Sequence, residues 1–194
     1  MRQNPQRRTA LLDAAIEVLA REGSRGLTLR AVDKQAEVPT GTASNYFANR
    51  ADLLGQIMQR TGERLAPDPG ILADTLRRAP SRDVVALLLR QTHERMEADR
   101  SSWLAMLELR LEGTRRPELG VELKEIYGTA LRDNIRFYLD AGLPGDATDV
   151  VLLYLALNGM IIDDLTVPQV LPEYASQHAG TDLFQELADR LLAE

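Results

Sequence analysis

The sequence predicts an all-α fold: an N-terminal helix-turn-helix head followed by a longer helical body. Three observations carry this. Alanine, leucine, arginine and glutamate are common while β-branched runs are rare, a balance that favours helix over strand. Apolar residues recur at i, i+3, i+4 and i+7 in one segment after another, the periodicity of an amphipathic helix. The segments are separated by Gly, Pro and side chains that cap helices. With 194 residues, 44% hydrophobic and 27% charged, the chain can bury a real core in one or two small soluble domains.

The head comes first. Asn4-Pro5 is a cap followed by proline at the first helical position. Leu12, Ala15, Ile16 and Leu19 then lie on one face, and Gly23 and Gly26 end the helix. Gln6, Arg7, Arg8 and Thr9 suit either a solvated helix start or contact with phosphate. Thr28 caps a second helix whose Leu29, Val32 and Ala36 face one core. A break at Glu37 to Thr40 follows. The next segment is narrow and polar, with Thr40, Thr42, Ser44 and Asn45 as small hydrogen-bonding groups and Gly41 without bulk. Such a segment gains little from burial and suits close approach to a polar surface. Two helices joined by a short turn, the second presenting short donors and acceptors, is how a helix-turn-helix enters the major groove of DNA. Asn49 caps the next helix, with Asp52 three residues in and Leu53, Leu54, Ile57, Met58 and Leu65 on its apolar side.

Three runs carry a resemblance: Thr28-Leu29-Arg30; Ala36-Glu37-Val38-Pro39-Thr40-Gly41-Thr42; and Tyr46-Phe47-Ala48-Asn49-Arg50-Ala51-Asp52-Leu53. Together they resemble the DNA-binding signature of the TetR family of transcriptional repressors, over roughly Thr9 to Leu65. The family usually has Gly where Glu37 stands, Ser at Pro39, Tyr at Ser44 and Lys at Arg50; these departures bear on which operator is read, not on the mode of binding. The resemblance implies that Thr28, Arg30, Thr40, Gly41, Thr42, Ser44, Asn45, Tyr46 and Arg50 face DNA. Arg30 is placed to reach a base edge, where a guanidinium fork matches guanine. Thr28 doubles as a phosphate donor, and Arg50, a cation at a helix N-terminus, suits a nearby phosphate.

Pro67-Asp68-Pro69-Gly70 separates the head, 1–65, from a body, 66–194. The body reads as helices over Ile71–Ala79, Asp83–Asp99 (Val84, Val85, Leu87, Leu88 and Leu89 apolar), Ser102–Gly113 capped by Ser101, and a long one from Pro117 to the Gly142-Leu143-Pro144-Gly145 stop. Val150 to Ile162 is apolar nearly all round and too short for a bilayer, which needs about 20 residues. A helix of that kind is buried on all sides, so one face packs in the subunit and the other needs a partner. Thr181 to Ala193 adds an amphipathic helix. Two such helices from each of two subunits make a four-helix interface, as the resemblance also implies, through Val150, Leu153, Leu157, Ile161, Leu183, Phe184, Leu187 and Leu191. The 163–180 connection reads as long and irregular.

The net charge of −6 looks wrong for a DNA binder, but it is unevenly spread. Residues 1–60 hold nine Lys/Arg against six Asp/Glu; the remainder holds fourteen against twenty-three. A basic head on an acidic body suits a protein with one end facing nucleic acid. With no Cys there is no disulfide framework, thiolate nucleophile or zinc finger. No apolar stretch follows Arg2, Arg7 and Arg8, so no secretory signal is expected and the chain should stay in the cytoplasm.

No catalytic or metal site is expected. His93 and Glu97 have metal-binding spacing, but two groups are too few, and a solvated pair is the plainer reading. Asp163 and Asp164 are adjacent on a helix and do not face each other. Trp103, Met106, Leu107 and Arg110 lie near one helix face, either as core with a snorkelling Arg or as a pocket wall. The resemblance implies a ligand cavity lined by helices holding Met96, Trp103, Tyr127, Phe137 and Asn158, with Asn158 or Arg110 as a polar group. The expectation is therefore a homodimer that binds double-stranded operator DNA, is released by a small-molecule effector, and needs no cofactor and no membrane. An activator of the same fold, or a helical carrier or enzyme, are the rivals.

Overall fold

The computed structural model describes residues 4–168, 170 and 182–192, and every described element is helical. The helices are α1 (Pro5–Gly26), α2 (Leu29–Gln35), α3 (Arg50–Leu65), α4 (Pro69–Leu76), α5 (Arg82–Ala98), α6 (Arg100–Gly113), α7 (Pro117–Asp140), α8 (Ala147–Thr166) and α9 (Leu183–Leu191), with a 3-10 turn at Ala43–Asn45. The chain divides into two compact units. One holds the residues up to Ala66 together with Asp99–Ile126; the other holds Pro67–Ala98 and the chain from Tyr127 onward.

Helix starts follow the predicted chemistry. Asn4 Oδ1 accepts from the Gln6 and Arg7 amides at 2.9 and 3.4 Å, Thr28 Oγ1 from Ala31 at 3.1 Å, and Asn49 Oδ1 from Asp52 at 2.9 Å. Asp68 caps α4 from within the Pro-Asp-Pro-Gly stretch, accepting from Gly70 and Ile71. At α8 the cap is Asp146, reciprocated by Asp149, so the helix begins before Val150 and runs on to Thr166. Most of the expected 163–180 connection lies outside the described residues. One cap differs: Asp99, not Ser101, starts α6, accepting from the Ser102 amide at 3.1 Å. Ser101 instead donates to Glu17 at 2.7 Å, and the carboxylate two residues earlier caps the helix in its place.

In the first unit α1 packs against α2, α3 and α6. Leu11, Leu12, Ile16 and Leu19 of α1, Leu27, Val32, Phe47, Leu53, Leu54, Ile57 and Met58 are buried, as are Ala105 and Leu109 of α6. Each large side chain taken from water in this way contributes about 1.5–3 kcal/mol. The helical path of α1 breaks at Gly23, whose φ of 67° only glycine adopts freely. The polar face of this unit is a network. Arg64 makes a paired contact with Asp99 at 2.7 and 2.8 Å and lies 3.5 Å from Asp13 and 3.6 Å from Glu17. Arg60 holds Asp13 at 2.8 Å.

The second unit has an apolar core of Val84, Val85, Ala86 and Leu89 from α5, Tyr138 and Leu143, Val150 and Leu153 from α8, and Ala188 and Leu192, with Phe184, Leu187 and Leu191 packed on it. The Tyr138 hydroxyl donates to the Pro144 carbonyl at 2.6 Å, closing the turn after α7. Burial, with Asp149 nearby, pushes that hydroxyl up to about 12.

Candidate nucleic-acid interface and effector site

The reading segment is built on α2. After Gln35 the chain reverses through Glu37, which sits in the left-handed region at φ 53°. That is where a helix most often ends on glycine. The segment that follows is not the second α-helix expected, but a turn through Thr40–Thr42 and a single 3-10 turn, Ala43–Asn45. Its small side chains fold back on their own backbone. Thr42 Oγ1 donates to the Pro39 carbonyl at 2.6 Å, and Ser44 Oγ and Asn45 Nδ2 both donate to the Gly41 carbonyl, at 2.7 and 3.1 Å. Such local bonds compete with an α-helical ladder, which explains the tighter turn.

Thr28, Arg30, Thr40, Gly41, Ser44 and Asn45 are exposed, and Thr42 and Tyr46 half-buried. Arg30 makes no hydrogen bond or ion pair among the described residues. Tyr46 lies under the Arg8 guanidinium, 5.9 Å from the ring centroid, and Arg8 also bonds Gln56. Arg8, Ser44, Asn45, Tyr46, Asp52 and Gln56 line one open groove. Asp52 is held below the ordinary carboxylate range by the Ala48 amide and by Gln56.

Two side chains play parts the sequence did not reveal. Asp33, only 2% exposed, accepts from the amides of Gly41 and Ala43, both at 2.7 Å. In sequence it is one charge beside Val32, and nothing marks it as inward-facing. Arg50, expected at phosphate, donates inward: to the carbonyls of Leu27 and Ser24 and to Ser24 Oγ. It therefore ties the start of α3 to the end of α1. Nearby, burial pushes Glu112 up, but bonds from Arg116 and Ser24 and the charges of Arg116 and Arg50 hold it below the usual range.

The eight residues expected at a ligand cavity fall in both units. Trp103, Met106, Leu107 and Arg110 lie on α6 in the first; Met96, Tyr127, Phe137 and Asn158 lie in the second. Met96 is fully buried, Arg110 exposed and the rest half-buried. Asn158 donates to the Tyr154 carbonyl one turn back, at 2.7 Å. Trp103 Nε1 is buried without an acceptor, an uncommon state for an indole N–H.

The expected interface residues fall mainly on the inward face of their helices. Val150, Leu153 and Ile161 are 2, 4 and 2% exposed. They close on their own subunit, and Leu157, Phe184, Leu187 and Leu191 pack on the same core; Leu183 is half-buried. The outward row of α8 is Leu152, Leu155 and Gly159, with Leu152 42% and Leu155 58% exposed. A helix that is apolar all round offers no polar stripe from which its orientation can be read. His93 also differs from expectation. It pairs with Asp164 rather than Glu97, Nε2 to Oδ2 at 2.5 Å, and tilts against Phe184 at 5.3 Å, joining α5, α8 and α9. Among the described residues no three His, Asp or Glu side chains gather as a metal site, and no helix is long and apolar enough to cross a membrane.

Comparison with known proteins agrees with this geometry. Residues 11–57 match the bacterial regulatory proteins of the tetR family, and residues 80–194 match the tetracyclin repressor-like C-terminal domain. The HTH-type transcriptional regulator BetI of Rhizobium meliloti (strain 1021) is 28% identical over 86% of this chain and 79% of its own length. The multidrug binding protein EbrR is 26% identical, with a TM-score of 0.66 over 98% of this chain and 97% of the other. A TetR family member from Streptomyces coelicolor A3 is 25% identical, with a TM-score of 0.67 over 98% of this chain and all of its own. The chain belongs to the TetR family and is a helix-turn-helix transcriptional regulator of the ligand-binding repressor type.

Proposed function

We propose that this chain acts in the cytoplasm as a homodimeric repressor of a pseudo-palindromic operator and that a small-molecule effector releases it. The observation that carries the proposal is the exposed tip of Thr40, Gly41, Ser44 and Asn45, held rigidly from behind and flanked by Arg30 on α2. Arg30 reads a base, Thr28 and Thr42 approach the backbone, and Tyr46 with Arg8 borders the groove. Arg50 serves the site by fixing α3 rather than by touching phosphate. The dimer forms through the outward row of α8, Leu152 and Leu155, together with α9. The effector meets the apolar residues Trp103, Met106 and Leu107 of α6. The unpartnered Trp103 N–H favours a compound with a hydrogen-bond acceptor. EbrR, a similar protein, has been crystallised with ethidium, malachite green and imidazole, which supports a pocket of that kind here.

Release follows from linkage: the effector weakens DNA binding only through its differential affinity for two states of the dimer, and operator must weaken effector binding by the same factor. The test is selection of duplexes from a random-sequence library by the full chain, followed by fluorescence-anisotropy titration. Enrichment of two-fold symmetric sites with half-sites about 34–36 Å apart, or a multiple of it, is expected. Absence of any enriched sequence would overturn the proposal. Screened compounds that release the selected duplex then supply the reciprocal titration.

A further inference from the structure

The reading turn has no cap of its own. The residue before its first 3-10 position is Thr42, and that side chain caps nothing; its hydroxyl is spent on the Pro39 carbonyl. Pro39, where the chain enters the turn, has neither a hydroxyl nor an N–H to offer. Two amides at the start of the turn, those of Gly41 and Ala43, would then be orphaned beside a buried backbone. Both are accepted by one carboxylate that comes from α2, ten and eight residues earlier: Asp33 Oδ1 takes Ala43 and Oδ2 takes Gly41, each at 2.7 Å. The Asp33 backbone carbonyl also accepts from Val38 at 3.0 Å, closing the loop from the other side.

We propose that Asp33 is the positioning residue for operator recognition: a cap supplied across the turn, which holds the exposed tip at Thr40–Asn45 in reading geometry in place of a hydroxyl at position 39. Asp33 is 2% exposed and touches no DNA. Its effect is on the shape of the surface that does. A carboxylate suits this better than a hydroxyl because its two oxygens hold two amides at once, fixing both the direction of the turn and its distance from α2. The left-handed Gly41, at φ 93° with nothing within 4 Å of where a side chain would sit, is presented outward by the same bond. Loss of Asp33 should therefore erode discrimination between sequences far more than attraction to phosphate.

This inference rests on the proposed role of the segment in reading DNA, and the experiment separates the two. The full-length protein selects its operator from the random duplex library; failure at that stage counts against the proposed function, not against Asp33. Asp33→Ala, Asp33→Asn, Pro39→Ser and the double variant Asp33→Ala/Pro39→Ser are then titrated on the selected duplex and on a scrambled one, over a range of salt. Asp33→Ala should lose about 10–100-fold on the operator, the scale of one lost base contact, and less than about threefold on scrambled DNA, with the salt slope unchanged because no phosphate contact is removed. Asp33→Asn, which keeps one acceptor, should lie between. The double variant should regain affinity for the operator, since a serine hydroxyl at position 39 can accept from the Gly41 amide. Equal losses on operator and scrambled DNA, or a flattened salt slope, would show that Asp33 only keeps the head folded and would overturn the inference. So would an Asp33→Ala/Pro39→Ser variant no better than Asp33→Ala. Should Asp33→Ala fail to fold, Asp33→Asn alone decides, by the same ratio.

Discussion

The turn at residues 39–46 and helix α8 are opposite ways of making a surface for a partner. The turn is polar and tied by directional bonds: the Thr42 side chain to Pro39, the Ser44 and Asn45 side chains to Gly41, and the Gly41 and Ala43 amides to Asp33. Its shape is fixed before any DNA arrives. Helix α8 is apolar nearly throughout, and its orientation is set only by which side the core takes. Val150 and Leu153 go inward, and Leu152 and Leu155 are left outside. Directional bonds fix a surface residue by residue, whereas burial fixes only a face. A single polar substitution should therefore alter the turn's specificity, while a change on α8 should matter according to which side of the helix it falls.

The largest expected effect tests that division directly. Leu153→Glu places an unpaired charge in the subunit core and should cost more than about 4 kcal/mol, enough to prevent folding. Leu155→Glu, two residues on, should leave a helical, soluble chain that has lost its partner. Circular dichroism and light scattering on the two variants decide it. A folded dimer with Leu155→Glu would remove the outward row from the interface. Equal unfolding in both would mean that α8 has no outward face.

A smaller effect separates two arginines of the head that look alike in sequence. Arg50→Ala removes three bonds to the end of α1 and leaves carbonyls unsatisfied. It should cost about 2–3 kcal/mol of stability, with weaker DNA binding only as a consequence. Arg30→Ala should leave stability unchanged and relax preference at one base of each half-site by about 1–3 kcal/mol. Thermal melts beside titrations on base-substituted duplexes measure both. A stability loss for Arg30→Ala, or a reduced salt slope without one for Arg50→Ala, would reverse the assignment.

These pairs show what was legible. Caps at Asn4, Thr28 and Asn49 could be read because a cap is local: acceptor and amide lie within three residues. The order of helices was readable from periodicity and punctuation, and the head from its spaced motif. Asp33 was not legible, because its partners are eight and ten residues away across a reversal whose tightness no pattern gives. The inward bonds of Arg50 were hidden for the same reason: Ser24 and Leu27 come near only after α1 bends at Gly23. The packing of α6 against α1, and the pairing of His93 with Asp164, likewise depend on distant segments meeting. On α8 the sequence contains burial but not direction.

The polar network of the first unit gives a pH test. Burial pushes Asp99 up, but the bonds from Arg64 and Ser102 more than reverse this and hold it below the ordinary carboxylate range. A carboxyl lowered on folding adds stability above its unfolded value, near 3.9, and that stability is lost as pH falls through the folded value. The wild type should therefore lose stability more steeply than Asp99→Asn below about pH 4, and the two curves should run nearly parallel above about pH 5. Denaturant midpoints across that range measure it. Parallel curves throughout would show that the Arg64–Asp99 contact contributes nothing to folding.

The smallest effect returns to the turn. Glu37 is the one non-glycine residue with positive φ among those described, at 53°, and it stands where the family usually has glycine. The left-handed conformation costs an L residue about 1 kcal/mol or more, a cost glycine does not incur. Against this, glycine is freer in the unfolded chain and loses more on folding. The backbone already holds this angle through the Glu37 amide to Lys34 and the Val38 amide to Asp33, so the substitution needs no rearrangement. Glu37→Gly should therefore raise stability by about 0.5–1 kcal/mol and leave operator preference unchanged, since Glu37 makes no bond to the tip. It also removes a negative charge close to the DNA-facing turn, so affinity for all duplexes should rise slightly at low salt and less at high salt. Thermal melts and paired titrations at two salt concentrations test both parts. A destabilised Glu37→Gly would show that the side chain, not the backbone angle, is what this position needs.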